Sequence, residues 1–257
     1  PAPEPSPDDV CVLGLGYVGL PTAAVLATRG QRVAGVDLRR DILDTINAGR
    51  IHIVEPELDA LVRAAVAAGT LRAVPQPVPA RTYLLCVPTP ITQDHRPDLS
   101  FVESAARAIV PVLRPGALVV LESTVPPGTL RDIVAPIVCA GGLIPGRDVF
   151  LAHAPERVLP GAVLREVVEN ERIVGGLTDA CTARCAEFYE AFARGQVHRS
   201  SAEVAELTKL AENAFRDTNV AFANEITVWA IRRATTGNQR IDARARVAAI
   251  APATTKP

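Results

Sequence analysis

Long uncharged apolar segments are absent from this 257-residue chain, although hydrophobic residues make up 48% of it. A membrane-spanning helix needs about 18 or more such residues in succession, so the sequence predicts a globular protein with no membrane partner. The opening stretch, "PAPEPSPDD", has neither the basic start nor the apolar core of a secretory signal. We therefore expect a disordered lead over residues 1–8 and a cytoplasmic location.

Cysteine and histidine are too few and too scattered for a disulfide framework or a metal centre. The five cysteines, mostly in apolar surroundings, are Cys11, Cys86, Cys139, Cys181 and Cys185. Such surroundings are typical of reduced, buried thiols. Cys181 and Cys185 lie one helical turn apart without a CxxC partner, and the four histidines share no ligand spacing. No metal is expected.

A large excess of charge is also missing, because the formal net charge is −1. This balance gives no reason to expect nucleic-acid binding. It does hide an asymmetry, since residues 226–257 carry six basic residues against one acidic residue. We therefore treat residues 226–257 as an atypical tail, distinct from the rest of the chain.

From Val10 onward, short β-rich runs alternate with helical ones, which is typical of a parallel sheet covered by helices. The strand runs are continuously apolar, as in sheets that are buried on both faces. We therefore predict an α/β fold, with a Rossmann-like doubly wound parallel sheet over residues 9–200 and the start of a long central helix over residues 201–225. The predicted helices within the sheet domain cover residues 18–30, 39–48, 56–68, 98–113, 127–138 and 178–193.

The segment "GLGYVG" follows the first apolar strand and enters the first helix. Its glycines, Gly14, Gly16 and Gly19, have the G-x-G-x-x-G spacing, which allows a tight turn and lets a pyrophosphate approach the helix N-terminus. With Tyr17 and Val18 between them, they form the predicted cofactor-binding turn. The alternative is a glycine turn that only packs the helix against the strand.

Asp37 ends the second strand run, "RVAGVD". A carboxylate at this position accepts hydrogen bonds from a ribose hydroxyl and repels a 2′-phosphate, which favours NAD over NADP. Arg39 and Arg40 keep NADP open as a second possibility, and Asp37 could instead serve only as a helix cap.

Five segments, the first of which contains the glycine turn, carry a resemblance to a known family. "GLGYVGLPTA", "CVPTPI", "ESTVPPGT", "APERVLPG" and "ELTKLAENAFRDTNVAFANE" together resemble the UDP-glucose/GDP-mannose dehydrogenase family. Three segments are most similar to the branch that oxidises UDP-N-acetyl-D-mannosamine: "IHIVEPEL", "PERVLPG" with the downstream "ENERIVGG", and "ENAFRDTNVAFANE". UDP-N-acetylglucosamine and UDP-glucose dehydrogenases are the neighbouring possibilities.

The resemblance implies oxidation of C6 of a UDP-sugar from alcohol to carboxylate by two NAD⁺ in succession, with a cysteine that traps the intermediate aldehyde. By position, it makes Lys209 the cation that stabilises the oxyanion and Asn213 a hydrogen-bond donor one helical turn along. It makes Glu156 a carboxylate for acid–base work or water positioning, and Thr124 a hydroxyl near the nicotinamide. Lys209, Asn213 and Glu156 would also contact the substrate.

Three more residues complete the predicted site. Arg157 is a predicted substrate contact, and Pro88 and Thr89 follow a strand end, where open α/β sheets bind ligands. Taken alone, Lys209 could be a solvated helix charge and Glu156 an ordinary loop carboxylate.

The resemblance covers residues 10–225 and stops before the parts that hold the nucleophilic cysteine and the UDP. None of the five cysteines stands in the nucleophile's motif, and Cys86 is better explained as a packed strand residue. We therefore expect a truncated form, whose own activity is uncertain, and the alternative is a non-catalytic NAD-binding module or degenerate paralogue. The resemblance implies a homodimer for intact members and leaves dimerisation open for this shorter chain. We interpret the Arg, Ala, Thr and Pro bias after Glu225 as out-of-frame translation, with a native tail as the alternative.

Overall fold

The computed structural model describes residues 8–158 and 161–236, and an eight-stranded sheet lies at its centre. The strands are β1 (Asp8–Leu13), β2 (Val33–Val36), β3 (Leu71–Val74), β4 (Ala80–Leu85), β5 (Leu118–Leu121), β6 (Phe150–His153), β7 (Arg172–Gly176) and β8 (Val197–Ser201). They lie in the order β3-β2-β1-β4-β5-β6-β7-β8. The first six in this order are parallel, which is the strand order of a doubly wound dinucleotide-binding sheet.

Helices cover both faces of the sheet, as predicted. They are α1 (Gly19–Thr28), α2 (Arg40–Asn47), α3 (Leu58–Ala67), α4 (Ser100–Ile109), α5 (Ala135–Val138), α6 (Val163–Glu169), α7 (Asp179–Glu190) and α8 (Ala202–Thr236). A 3₁₀ turn (Val110–Val112) extends α4, and a π-helical segment (Leu130–Val134) leads into α5.

The hydrophobic core forms two layers because successive strand residues point to opposite faces. In β1, Val10 and Val12 pack on the side of α1, whereas Cys11 and Leu13 pack on the side of α4. All four side chains are buried. Burial on both faces explains why the strands are continuously apolar and not alternating.

The last two strands run against the rest of the sheet, since β7 pairs antiparallel with β6 and parallel with β8. The predicted doubly wound parallel sheet is confirmed, and these two strands, whose direction the sequence analysis did not give, form its reversed edge. This antiparallel pairing places Glu156, three residues after β6, beside Arg172, the first residue of β7, and the two form a buried ion pair with 2.8 Å between Oε2 and Nη1. In a parallel arrangement Arg172 would lie about one strand length, roughly 13 Å, from that end of β6.

Two elements were not predicted, and one predicted boundary was wrong. The strand β3 has only four residues, and α6 is a short helix of seven. Asp8, assigned to the disordered lead, is the first residue of β1 and is buried, because its carboxylate pairs with Arg72 at 2.6 Å. Residues 1–7 lie outside the described residues.

The helix α8 passes residue 225 without interruption and continues to Thr236. The chain divides into two compact units, and the division falls after Lys209, in the third turn of α8. The rest of the atypical tail, residues 237–257, lies outside the described residues, so the proposed change of reading frame stays a hypothesis. Within residues 8–158 and 161–236, no helix has the length and apolar content to cross a membrane.

The edge formed by β7 and β8 leaves no room for a side chain at Gly175, where a Cβ would lie 2.0 Å from the carbonyl oxygen of Ser201. We expect Gly175→Ala to lower the free energy of unfolding by about 2 kcal/mol and the melting temperature by about 4–8 °C. The matched control is Gly141→Ala, because Gly141 is exposed and no atom lies within 4 Å of the place that the added methyl group would take. Thermal unfolding followed by circular dichroism checks both, and equal melting temperatures would contradict the prediction.

Candidate functional site

The glycine turn lies at the carboxyl end of β1 and opens α1. Gly14 has φ +92°, and a Cβ there would lie 2.6 Å from the carbonyl oxygen of Cys86, at the end of β4. A Cβ on Gly19 would lie 1.9 Å from the carbonyl oxygen of Gly14. Gly16, in contrast, has nothing within 4 Å of its Cβ position. The turn is therefore closed against the protein at its two ends and open in its middle, as a cradle for a phosphate group requires.

The two residues between the glycines line the open part of the turn. Tyr17 is 51% exposed, and Val18 immediately precedes the first residue of α1. The helix α1 therefore begins directly after the open part of the turn. This is the place where the helix dipole favours an anion.

Asp37 follows β2 and lies beside the same turn. One carboxylate oxygen accepts a hydrogen bond from the Leu15 N–H at 3.2 Å, and the other accepts from the Arg39 N–H at 2.9 Å. Because β1 and β2 are neighbours in the sheet, the acidic residue and the glycine turn meet at one edge. The guanidinium of Arg39 is held in an ion pair with Asp41, which turns it toward a residue of its own chain.

Pro88, Thr89 and Thr124 lie at the carboxyl ends of β4 and β5, the next strands along the same edge. The hydroxyl of Thr89 donates to the carbonyl oxygen of Thr124 at 2.8 Å. Ser123, which was not predicted, ties the same two loops together by donating to the Val87 carbonyl oxygen at 2.7 Å. The structure therefore brings these predicted residues to the edge that carries the glycine turn.

Glu156 is only 7% exposed and is the acidic member of the buried ion pair with Arg172. It also accepts a hydrogen bond from the Arg157 N–H at 2.6 Å, while the Arg157 guanidinium donates to the carbonyl oxygen of Glu171. In this arrangement the Glu156 carboxylate stabilises a buried cation. Its predicted acid–base role, and the predicted substrate contact of Arg157, stay predictions.

A second buried carboxylate, Glu122, was missed by the sequence reasoning. It accepts a hydrogen bond from the Cys86 thiol at 3.1 Å and a short one from the Tyr189 hydroxyl. Burial raises the pKa of Glu122 above its ordinary value, and the nearby charge of Glu156 adds to this effect. The Arg172 guanidinium stacks 4.6 Å from the centre of the Tyr189 ring. The available sequence signal was a charged residue at the end of an apolar strand, in "ALVVLES".

Lys209 and Asn213 lie one helical turn apart on α8, and both are partly exposed. Lys209 is the last residue of the first compact unit, and Asn213 belongs to the second. Arginine accounts for 25 of the 27 Lys and Arg residues in the chain, and the two lysines are Lys209 and Lys256. The predicted oxyanion-stabilising position is thus the one lysine within the described residues.

None of the five cysteines has the environment of a nucleophile. Cys11, Cys181 and Cys185 are buried, and burial raises the pKa of Cys11 to about 11. Burial also raises the pKa of Cys86 well above its ordinary value, with Glu122 adding to the shift. Since the thiolate is the reactive form, covalent catalysis has no candidate residue among them.

Histidine chemistry is equally unsupported. His153 is completely buried, and burial lowers its pKa to about 3, so the ring is neutral. His198 pairs with Glu171 on the surface at 2.8 Å. In the part of the chain that the structure describes, no three His, Cys, Asp or Glu side chains are grouped so that they could hold a metal ion.

The two buried carboxylates should respond differently to neutralisation. We expect Glu156→Gln to lower the free energy of unfolding at neutral pH by about 3 kcal/mol, because it leaves the buried Arg172 without its partner. The matched change Glu122→Gln should cost less than about 1 kcal/mol, since the amide resembles the protonated carboxyl that burial favours. Urea unfolding of the two variants measures both values, and equal losses would contradict this assignment of charge.

The pH dependence gives a second test of the same assignment. Because the pKa of Glu122 is raised, the folded state binds its proton more tightly than the unfolded state. The protonated Glu122 therefore makes its full contribution to the free energy of unfolding below the ordinary glutamate pKa. This contribution is lost as the pH rises through the raised pKa of the folded state. The loss of stability with rising pH should be smaller in Glu122→Gln than in the unaltered protein. Urea unfolding at a series of pH values measures it, and the same pH dependence in both proteins would contradict the raised pKa of Glu122.

Comparison with known proteins agrees with this geometry. The NAD binding domain of the UDP-glucose/GDP-mannose dehydrogenase family matches residues 8–193, and the central domain of the same family matches residues 203–244. The central-domain match extends beyond Glu225, where the sequence-based resemblance had ended. The start of the atypical tail therefore still resembles the family.

The individual relatives are named as dehydrogenases of N-acetylated nucleotide sugars. The NDP-N-acetyl-D-galactosaminuronic acid dehydrogenase of Ralstonia solanacearum is 52% identical over 226 residues, which cover 85% of this chain and 53% of that protein. The UDP-N-acetyl-D-mannosamine dehydrogenase of Escherichia coli (strain K12) is 45% identical over 249 residues, which cover 91% and 59%. The solved structure of the UDP-N-acetyl-mannosamine dehydrogenase Cap5O from Staphylococcus aureus is 37% identical, with a TM-score of 0.83 over 91% of this chain and 59% of that one.

The chain thus spans between half and three fifths of the length of these relatives. The match to the NAD-binding domain alone includes well over half of the chain. The glycine turn, Asp37 and the strand order are the features that such a domain needs. This chain belongs to the UDP-glucose/GDP-mannose dehydrogenase family, and residues 8–193 are its NAD-binding domain.

Proposed function

We propose that this chain supplies the cofactor-binding half of an enzyme that oxidises C6 of a UDP-sugar from alcohol to carboxylate with NAD⁺. The proposed sugar nucleotide is UDP-N-acetyl-D-mannosamine. The competing substrate is the N-acetyl-D-galactosamine nucleotide, whose oxidation at C6 would give the galactosaminuronic acid in the name of the Ralstonia relative. The proposal rests on one arrangement, in which the glycine turn, Asp37 and Thr124 share the carboxyl edge of the sheet.

The residues of the turn fit a dinucleotide. The open position at Gly16 leaves space for a pyrophosphate against the N-terminus of α1. The Asp37 carboxylate, already oriented by two backbone N–H groups, has lone pairs left for ribose hydroxyls. When bound, NAD⁺ supplies the hydride acceptor for the oxidation.

The catalytic roles are assigned to residues around that edge. The Thr124 hydroxyl lies on the loop after β5, where the reacting carbon would meet the cofactor. Lys209 would stabilise negative charge on the sugar oxygen as the proton leaves, and Asn213 would donate a hydrogen bond to it. Glu156 and Arg157 would contact the sugar from the loop after β6.

A non-catalytic NAD-binding module is the second candidate function for this chain. The observation that favours it is the burial of Cys11, Cys181 and Cys185, together with the raised pKa of Cys86, since trapping an aldehyde needs an accessible thiolate. In addition, remote contacts to the UDP group normally help to position the reacting carbon. The two candidates share NAD binding and differ in sugar oxidation.

Asp37 should control the choice of cofactor. We expect the unaltered protein to bind NAD⁺ more tightly than NADP⁺, and Asp37→Ser to weaken NAD⁺ binding about tenfold, or about 1.4 kcal/mol. The matched control is Asp41→Asn, which removes an exposed carboxylate four residues away. Isothermal titration calorimetry measures the affinities of the unaltered protein for NAD⁺ and NADP⁺ and of each variant for NAD⁺. Equal NAD⁺ affinity in the two variants would show that Asp37 does not bind the cofactor.

The number of NADH molecules formed per sugar distinguishes the two functions. We expect at most one NADH per UDP-N-acetyl-D-mannosamine from this chain, because the second oxidation requires a nucleophilic cysteine. The absorbance of NADH, read after NAD⁺ binding has been measured by calorimetry, gives this ratio.

Each result bears on a different statement. One NADH per sugar supports the dehydrogenase, and NAD⁺ binding without NADH supports the non-catalytic module. Two NADH per sugar would contradict the conclusion about the cysteines. A folded chain that does not bind NAD⁺ would contradict both candidate functions.

A further inference from the structure

Glu206 is a buried carboxylate that opens the segment "ELTKLAEN", and neither the sequence analysis nor the proposed reaction assigns it a role. It lies in the second turn of α8, and its side chain is completely inaccessible to solvent. One carboxylate oxygen accepts a hydrogen bond from the Leu130 N–H at 2.8 Å, and the other accepts from the Gly128 N–H. The contact joins residues 76 and 78 positions apart in the sequence.

The groups that Glu206 binds are the free N–H groups at the start of a helical segment. The π-helical turn begins at Leu130 and leads into α5, so its first N–H groups have no partner within the segment. A carboxylate is the acceptor that the helix dipole favours at this end, and hydrogen bonds to a charged acceptor are stronger than neutral ones. Burial raises the pKa of Glu206, while its two backbone hydrogen bonds act in the opposite direction.

A second contact between the same segments is weaker. Arg131 forms an ion pair with Glu203, one turn earlier on α8, at 2.8 Å. Both side chains are largely exposed, and exposed ion pairs contribute little to stability. The position of this part of α8 therefore depends mainly on Glu206, together with the buried Ala202 and Ala205.

The two segments joined by Glu206 carry two of the proposed catalytic residues. Thr124 lies four residues before Gly128, on the loop that Thr89 also holds. Lys209 lies three residues after Glu206, on an adjacent part of the helix surface. All of these residues belong to the first compact unit.

We propose that Glu206 is a positioning residue that fixes the first turns of α8, and so Lys209, relative to the Thr124 loop. The inference depends on the proposed function for its catalytic meaning, because that function assigns the roles of Lys209 and Thr124. The lysine stem is long and flexible, so a fixed helix is what allows its ammonium group to be placed reproducibly.

The test compares Glu206→Gln with Glu203→Gln in the full 257-residue chain. Both changes remove one carboxylate charge from the first two turns of α8. Only Glu206→Gln replaces one of the two oxygens that accept from Gly128 and Leu130 by an NH2 group, which cannot accept a hydrogen bond. The chain has two lysines, so after reductive ¹³C-methylation the spectrum contains Lys209, Lys256 and the terminal amine. Lys209→Arg assigns the Lys209 signal by its disappearance.

In the cofactor-free protein, we expect Glu206→Gln to move the Lys209 signal toward its position in the urea-unfolded chain. Hydrogen exchange at the Gly128 and Leu130 amides should become at least about tenfold faster. The NAD⁺ dissociation constant should stay within about twofold of the unaltered value, because the glycine turn is not touched. Glu203→Gln should leave all three measurements close to those of the unaltered protein.

An unmoved Lys209 signal in Glu206→Gln, with faster exchange at Gly128 and Leu130, would overturn the proposal. If Glu206→Gln does not fold, Glu206→Asp keeps the charge and shortens the reach, and it should move the Lys209 signal in the same direction. Failure of both variants to fold would show that Glu206 maintains the fold and would also overturn the proposal. Failure of the proposed function is seen separately, as a lack of NAD⁺ binding by the unaltered chain.

Discussion

The carbonyl oxygen of Cys86 lies so close to Gly14 that no side chain fits between them, and the turn then folds back so tightly that Gly19 meets the Gly14 carbonyl oxygen. Only glycine satisfies both contacts, and only glycine readily adopts the positive φ of Gly14. This close approach joins the carboxyl ends of β1 and β4, which are neighbours in the sheet. The N-terminus of α1 is therefore presented at the edge where the strand order reverses, and the loops after β4 and β5 meet the turn there.

The same residue connects this edge to the charges beneath it. The Cys86 thiol donates to Glu122, which lies near the Glu156–Arg172 ion pair. The buried Arg172 guanidinium thus lies near two carboxylates, Glu122 and Glu156. Two carboxylates beside one buried cation are stable only if one of them is protonated or accepts hydrogen bonds from neutral donors. The Tyr189 hydroxyl and the Cys86 thiol are such donors. The antiparallel pairing of β7 with β6 is what places Arg172, the first residue of β7, beside Glu156.

The sequence was sufficient where the determining pattern is local. Apolar runs and helical periodicity predicted most strands and helices, and the glycine spacing placed the turn between the correct strand and helix. Strand order then brought Asp37 beside it. Contacts between distant residues were not predictable, since nothing near Glu122 indicates Tyr189, 67 residues away, and nothing near Gly128 indicates Glu206. The same limit applies to the direction of β7, because an alternating β and α pattern gives no indication that β7 pairs antiparallel with β6.

Lys209 illustrates how composition and structure support one another. Basic positions in this chain are almost always arginine, and on a solvated surface either residue would supply the same charge. The two differ where a positive charge must approach a single oxygen, because ammonium is a compact charge and guanidinium is a planar fork of five donors. Under the proposed function, lysine at this position is a chemical requirement, and so is a helix that does not move beneath its flexible stem. A carboxylate buried one turn earlier, bonded to the loop that carries Thr124, meets the second requirement.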